Sequence, residues 1–172
     1  MTPHTATLTI AGRNAFDEAV QGVTGTRLSG LSIETVQANI GLRCNLACRH
    51  CHVESSPTRQ EQMTRQTMRE VLDAAGRAGA RTLDITGGAP EMHPHFREFV
   101  DEAQALGLRV MVRTNLTIML QPGYAGFPYW FAERGIHLVA SLPCYLPNNV
   151  DKQRGRHVYT DSVEAVQRLN YV

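Results

Sequence analysis

A chain of 172 residues, 42% of them hydrophobic, is long enough for one domain with a buried core and short for two ordinary ones. Its 17 basic and 16 acidic residues leave a formal charge of +1, and no apolar run approaches the ~20 residues of a membrane span, so nothing points to nucleic acid or to a membrane. The start, MTPHTATLTIAGR, lacks the basic-then-apolar pattern of a secretory signal; the expected compartment is the reducing cytoplasm, where clustered cysteines read as a metal or redox site.

Residues 1–34 read as an N-terminal extension, with a helix near 14–20 and a Gly/Ser/Thr-rich stretch over 22–32, and residues 35–172 as the core domain. Val36, Ala38 and Ile40 alternate as a first strand. Thr64 fits the N-cap of a helix whose apolar face is Met68, Val71, Leu72 and Ala75, and Gly79 ends it. A second strand over 81–86 runs into Gly87-Gly88-Ala89-Pro90, and a helix follows with Pro94 near its first turn and Phe96, Phe99, Val100 and Ala103 on one face. A third strand over 108–114, an aromatic helix over 129–134 and a fourth strand over 136–142 come next. An irregular segment with Pro143, Pro147 and Arg154-Gly155 precedes a last helix, for which Asp161 and Glu164 form an expected capping box.

Alternating strands and helices of this length imply a parallel α/β sheet with right-handed crossovers, doubly wound or barrel-like. In either case the loops after the strands share one face, so the segment after strand one, the Gly-Gly loop, Asn115 and the stretch from Ser141 to Cys144 converge at the C-terminal mouth. With about four βα units the core is expected to be incomplete at its C-terminal end, because closing a barrel takes more.

The chemistry is concentrated in NIGLRCNLACRHCHVESSP, where Cys44, Cys48 and Cys51 fall within eight residues. A four-iron cluster usually takes four thiolates, so three on one loop leave one iron open to a substrate or cofactor. Two alternatives stay open at this point: zinc with His50, His52 or a distant histidine as fourth ligand, and a cluster that only transfers electrons. His93 and His95, flanking Pro94, read as capping or surface residues.

Cys44-x3-Cys48-x2-Cys51 after a first strand, with His50 just before the third cysteine, resembles the cluster motif of radical S-adenosylmethionine (SAM) enzymes. The resemblance implies a partial TIM-like (β/α) barrel, a [4Fe-4S] cluster on the three cysteines, and SAM chelated to the open iron and cleaved to methionine and a 5′-deoxyadenosyl radical. Thr86-Gly87-Gly88-Ala89-Pro90 is similar to the Gly-Gly-Glu-Pro motif that contacts the SAM amino group, with Ala89 replacing glutamate and Glu91 two residues on. By position, Ser141 matches a polar contact to the SAM ribose, and Asn115 lines the same pocket or caps its turn. An electron donor such as a flavodoxin or ferredoxin is implied.

Four stretches, NIGLRCNLACRHCHVESSP, LDITGGAPEMHPHFREF, VRTNLTIML and ASLPCYLPNNVDKQRG, look like the arsenosugar biosynthesis radical SAM proteins. That resemblance implies a small-molecule substrate, a methylated arsenical joined to the deoxyadenosyl group. Trivalent arsenic is thiophilic, which gives Cys144 a role as substrate ligand beside its alternative as a small residue in a Pro-flanked turn. Two rival readings remain at this stage: a radical SAM enzyme with another small-molecule or peptide substrate, and a non-catalytic iron-sulfur fragment.

Overall fold

The computed structural model describes residues 15–27 and 30–172. Parts of the expected 14–20 helix and of the 22–32 stretch lie outside the described residues. The elements in chain order are α1 (Ala15–Thr24), β1 (Thr35–Asn39), α2 (Arg65–Ala78), β2 (Thr82–Thr86), α3 (Phe96–Ala105), β3 (Arg109–Thr114), α4 (Phe127–Glu133), β4 (His137–Ala140), α5 (Pro147–Arg154) and α6 (Val158–Leu169), with 3-10 turns at Pro90–Met92 and Thr117–Leu120.

The four strands form one parallel sheet in the order β1-β2-β3-β4. A doubly wound sheet reverses its strand order at a switch point, whereas sequential order curls as barrels do. The fold is therefore a partial barrel of the TIM type, and the doubly wound alternative falls away.

Register explains which face is which. Val36, Leu83 and Val110 lie side by side, as do Ala38, Ile85, Val112 and Leu138. These apolar side chains form one layer of the core with Met68, Leu72 and Ala75 of α2, Phe96, Phe99, Val100 and Ala103 of α3, and Phe127, Trp130 and Phe131 of α4. The opposite face is polar: Gln37 Nε2 donates to Asp84 Oδ2 (2.6 Å), and the Arg113 guanidinium clasps the same carboxylate from β3, with Nη2 at 2.8 Å. Pairing compensates the burial of Asp84.

α2 is capped as the sequence predicts: Thr64 accepts from the Thr67 amide, and Gly79 takes the left-handed conformation at the C-terminus. Three expectations need correction. The segment after β4 is not irregular, since Pro147 opens α5; that helix buries only Val150 and Arg154, too few apolar positions to give a periodic signal. The Asp161/Glu164 capping box does not form, because α6 already starts at Val158 after His157 in the left-handed region. Its cap comes from α5, where Asp151 accepts from the amides of His157 (2.9 Å) and Tyr159 (3.0 Å). Finally β4 ends at Ala140, and Leu142 and Tyr145 beyond it are exposed.

Candidate metal centre

β1 delivers the chain to the mouth, and the loop that follows is pinned at both ends. Leu42 N donates to the Glu61 carbonyl (2.9 Å), Cys44 N to Ser56 (3.1 Å), Cys51 N to Cys48 (3.1 Å) and Arg49 N to Gln153 of α5 (2.8 Å). Backbone bonds of this density hold a loop that has no regular structure of its own.

Cys44 is buried, Cys48 and Cys51 are part-exposed, and all three are free thiols. Cys44 and Cys51 lie within electrostatic reach of one another, and Cys48 feels both. Burial pushes the Cys44 and Cys48 thiols above the ordinary cysteine value, so metal binding must displace their protons. Several groups favour the thiolates. Leu46 N donates to Cys44 Sγ (3.4 Å), Ser55 N to Cys51 Sγ (3.3 Å), and Asn115 Nδ2 to Cys44 Sγ (3.4 Å).

Among the described residues no group of three His, Cys, Asp or Glu side chains is arranged to hold a metal ion. The donor set on the loop, three free thiols with N–H donors on Cys44 and Cys51 and a nearby cation, fits an iron-sulfur cluster, in which each thiolate meets a different iron.

That cation is Arg154, which sequence reasoning missed. Its side chain rises from the end of α5 and is 8% exposed, with Nη1 on the Ser141 carbonyl (2.7 Å) and Nε without a partner. Burial lowers its pKa, and the charges of Cys48 and Cys44 act against that. No local pattern marks an arginine in a short polar helix as the cation of a loop a hundred residues earlier.

The Gly-Gly loop packs directly on the cysteine loop. Gly88 N donates to the Gly41 carbonyl and Ala89 N to Arg43, both at 2.9 Å. The carbonyls of Gly87 and Gly88 accept none of the loop, turn or cap backbone hydrogen bonds among the described residues. Thr86, Gly87 and Gly88 are part-exposed, and Ala89 and Pro90 are buried.

Glu91 is buried beside this loop, 4% exposed, and neither carboxylate oxygen makes a hydrogen bond of ordinary geometry. Burial raises its pKa to about 7, with the Thr114 hydroxyl acting weakly the other way, and its charge reaches Cys44.

The remaining candidates are placed as follows. Ser141 is exposed at the end of β4, its amide on the Thr114 carbonyl (3.2 Å). His50 is exposed in the turn before Cys51. Asn115 spends its carboxamide within the chain, on Cys44, Asn45, Thr117 and Ile118; its Oδ1 accepts from Ile118 N (3.1 Å), which is the turn-capping alternative of its two expected roles. Cys144 is set apart: its Sγ accepts from Leu146 N (3.4 Å) and Asn149 Nδ2 (3.6 Å), which lower its pKa, and none of the other cysteines contributes. His93 is buried with Nε2 on the Met63 carbonyl (3.0 Å), which corrects the expectation of a capping or surface residue, and the more exposed His95 pairs with Glu98.

Against known proteins, a family model described as the Radical SAM superfamily matches residues 38–170. Over 77 residues the chain is 36% identical to the antilisterial bacteriocin subtilosin biosynthesis protein AlbA of Bacillus subtilis, covering 45% of this chain and 17% of that protein. Over 110 residues it is 28% identical to a probable GTP 3′,8-cyclase of Methanopyrus kandleri, covering 64% of this chain and 34% of the other. The crystal structure of Streptococcus suis SuiB bound to S-adenosylmethionine superposes with a TM-score of 0.64 at 16% identity, covering 91% of this chain and 35% of that one. The chain thus spans about a third or less of the length of each of these proteins.

Proposed function

The chain belongs to the radical SAM superfamily, whose members use a [4Fe-4S] cluster and SAM, and from that premise we propose that Cys44, Cys48 and Cys51 hold the cluster and that the mouth of the sheet binds SAM against it. The observation that carries this reading is the presence, on the loop after β1, of three free thiols in electrostatic reach of one another, two of them with N–H donors. When bound, cluster and SAM together supply reductive cleavage to methionine and a 5′-deoxyadenosyl group.

The chain's own residues bind and orient. The carbonyls of Gly87 and Gly88 suit the SAM ammonium, since a Gly-Gly backbone lets a ligand approach without a Cβ between. Arg154 suits the cofactor carboxylate: its Nε is a buried guanidinium donor without a partner among the described residues. Ser141, whose carbonyl accepts from Arg154, would supply the polar contact to the ribose, with Thr86, Ala89, Pro90 and His50 as further candidate contacts. An electron donor such as a flavodoxin or ferredoxin would approach the exposed side of the cysteine loop at Arg49 and His50.

For the substrate, a methylated arsenical joined to the deoxyadenosyl group fits best. The support is the likeness of the four sequence stretches and the thiol of Cys144, activated by two N–H donors. The relatives named above belong to peptide and nucleotide chemistry by their names, so a different small molecule or a peptide is the competing substrate class.

The test is anaerobic reconstitution with iron and sulfide, followed by reduction with SAM present. About four irons per chain and release of 5′-deoxyadenosine support the reading. A cluster without deoxyadenosine would reduce the chain to an iron-sulfur-binding unit, and zinc without iron would refute the centre. An arsenic-containing nucleoside formed only with methylated arsenite separates the substrate readings.

A further inference from the structure

Around Cys44 the chain builds a closed ring of side-chain hydrogen bonds. Asn115, just after β3, donates from Nδ2 to Asn45 Oδ1 (2.8 Å) and to Cys44 Sγ (3.4 Å). Its Oδ1 accepts from the Thr117 hydroxyl (3.2 Å) and from the Ile118 amide (3.1 Å). Asn45 Nδ2 in turn donates to Thr117 Oγ1 (2.8 Å). Both hydrogens and both lone pairs of the Asn115 carboxamide are used. Its orientation is forced, because a flipped amide would point N–H at the Ile118 N–H and present oxygen to sulfur.

This ring ties strand β3 to a thiolate on the loop after β1, with Thr117 only 1% exposed beneath it. A neutral amide donor fixed on a ligand sulfur withdraws electron density from it, and that stabilises the form of a cluster that carries the extra electron. Among the three cluster cysteines, Cys44 is the one with both a backbone donor and a side-chain donor.

We propose that Asn115, locked by Asn45 and Thr117, is a positioning residue that donates a hydrogen bond to the Cys44 thiolate and raises the reduction potential of the cluster. It acts through Cys44 and touches neither SAM nor substrate. The inference rests on the reading of Cys44, Cys48 and Cys51 as cluster ligands.

The experiment is an EPR-monitored redox titration of the reconstituted protein without SAM, with iron content measured on each sample. Wild type that takes up no iron-sulfur cluster sinks the underlying reading. Given a loaded wild type, Asn115→Ala is expected to shift the midpoint to lower potential, so that the reduced-to-oxidised ratio at the wild-type midpoint falls about three- to tenfold. Thr117→Val, which removes the lock but keeps the shape, should shift it less, and Thr117→Ser should restore it. If Asn115→Ala fails to hold a cluster, the near-isosteric Asn115→Asp replaces it; losing the donor and gaining an anion, it should shift the midpoint further down. Loaded Asn115 variants that titrate at or above the wild-type midpoint overturn the proposal.

Discussion

Gly88 sits against the Arg43 carbonyl so closely that a Cβ on Gly88 would fall inside van der Waals contact with Arg43 backbone atoms. The same holds for Gly87, whose φ of 154° few side chains adopt and whose Cβ would lie 2.6 Å from the Gly41 carbonyl oxygen. The two glycines therefore have a reason besides ligand approach: they let the loop after β2 pack on the cysteine loop backbone to backbone. Gly88→Ala is expected to destabilise the metal-free protein by about 2–4 kcal/mol, since backbone and not a flexible side chain must give way. Denaturant unfolding measures it. Iron uptake should fall in parallel, and an alanine variant with wild-type stability would remove the packing account.

The cap of α6 gives a second prediction. Asp151 reaches two amides at the start of α6, and these hydrogen bonds hold its carboxyl below the ordinary value of 3.8. A depressed carboxyl contributes stability that is present above the unfolded value and is lost as pH falls through the folded one. Asp151→Ala should lower the melting temperature at neutral pH, and the gap from wild type should close as pH drops below about 3.8. A gap independent of pH would mean that the carboxylate is not the cap.

The same cap shows where sequence reading stops. The strands, the capped helix α2 and the cysteine spacing are local patterns of period and turn chemistry, and the chain displays them openly. Thr64 and Thr67 are three residues apart; Asp151 and His157 are six apart across a Pro-opened helix and a left-handed turn, and a capping-box search settles on Asp161 instead. Likewise Cys44, Cys48 and Cys51 announce a metal site by themselves. Arg154, Asn45 and Thr117 come beside these cysteines only through the parallel order of the strands, which stacks the ends of β1, β3 and β4 at one mouth. Polar residues that act through tertiary contact leave no periodicity to read.

Glu91 supplies a pH signature of opposite sign to that of Asp151. Burial lifts its pKa from 4.5 to about 7, so the folded chain holds a proton that the unfolded chain releases. Stability is full below pH 4.5 and is lost as pH rises towards about 7, by roughly 3 kcal/mol. Glu91→Gln, neutral at every pH and close in shape, should flatten the stability profile of the reduced, metal-free protein over that window. Calorimetry across it provides the check, and an unchanged slope would show that Glu91 is ionised in the fold or finds a partner.

Arg154 yields the prediction that bears most directly on cofactor binding. A guanidinium that is 8% exposed, with one N–H unpartnered and two thiols in electrostatic reach, is costly to bury unless a second anion arrives. Cluster thiolates and the SAM carboxylate would both supply negative charge, but they separate experimentally. If Arg154 serves the carboxylate, Arg154→Ala should load iron normally and bind SAM about ten- to a hundredfold more weakly, the loss of a charge-assisted hydrogen bond. A SAM analogue lacking the carboxylate should bind wild type and variant alike. Arg154→Lys, which keeps the charge and loses the planar fork, should recover only part of the affinity. If iron loading collapses in Arg154→Ala but holds in Arg154→Lys, the cation serves the thiolates, and the donor for the carboxylate must be sought elsewhere at the mouth.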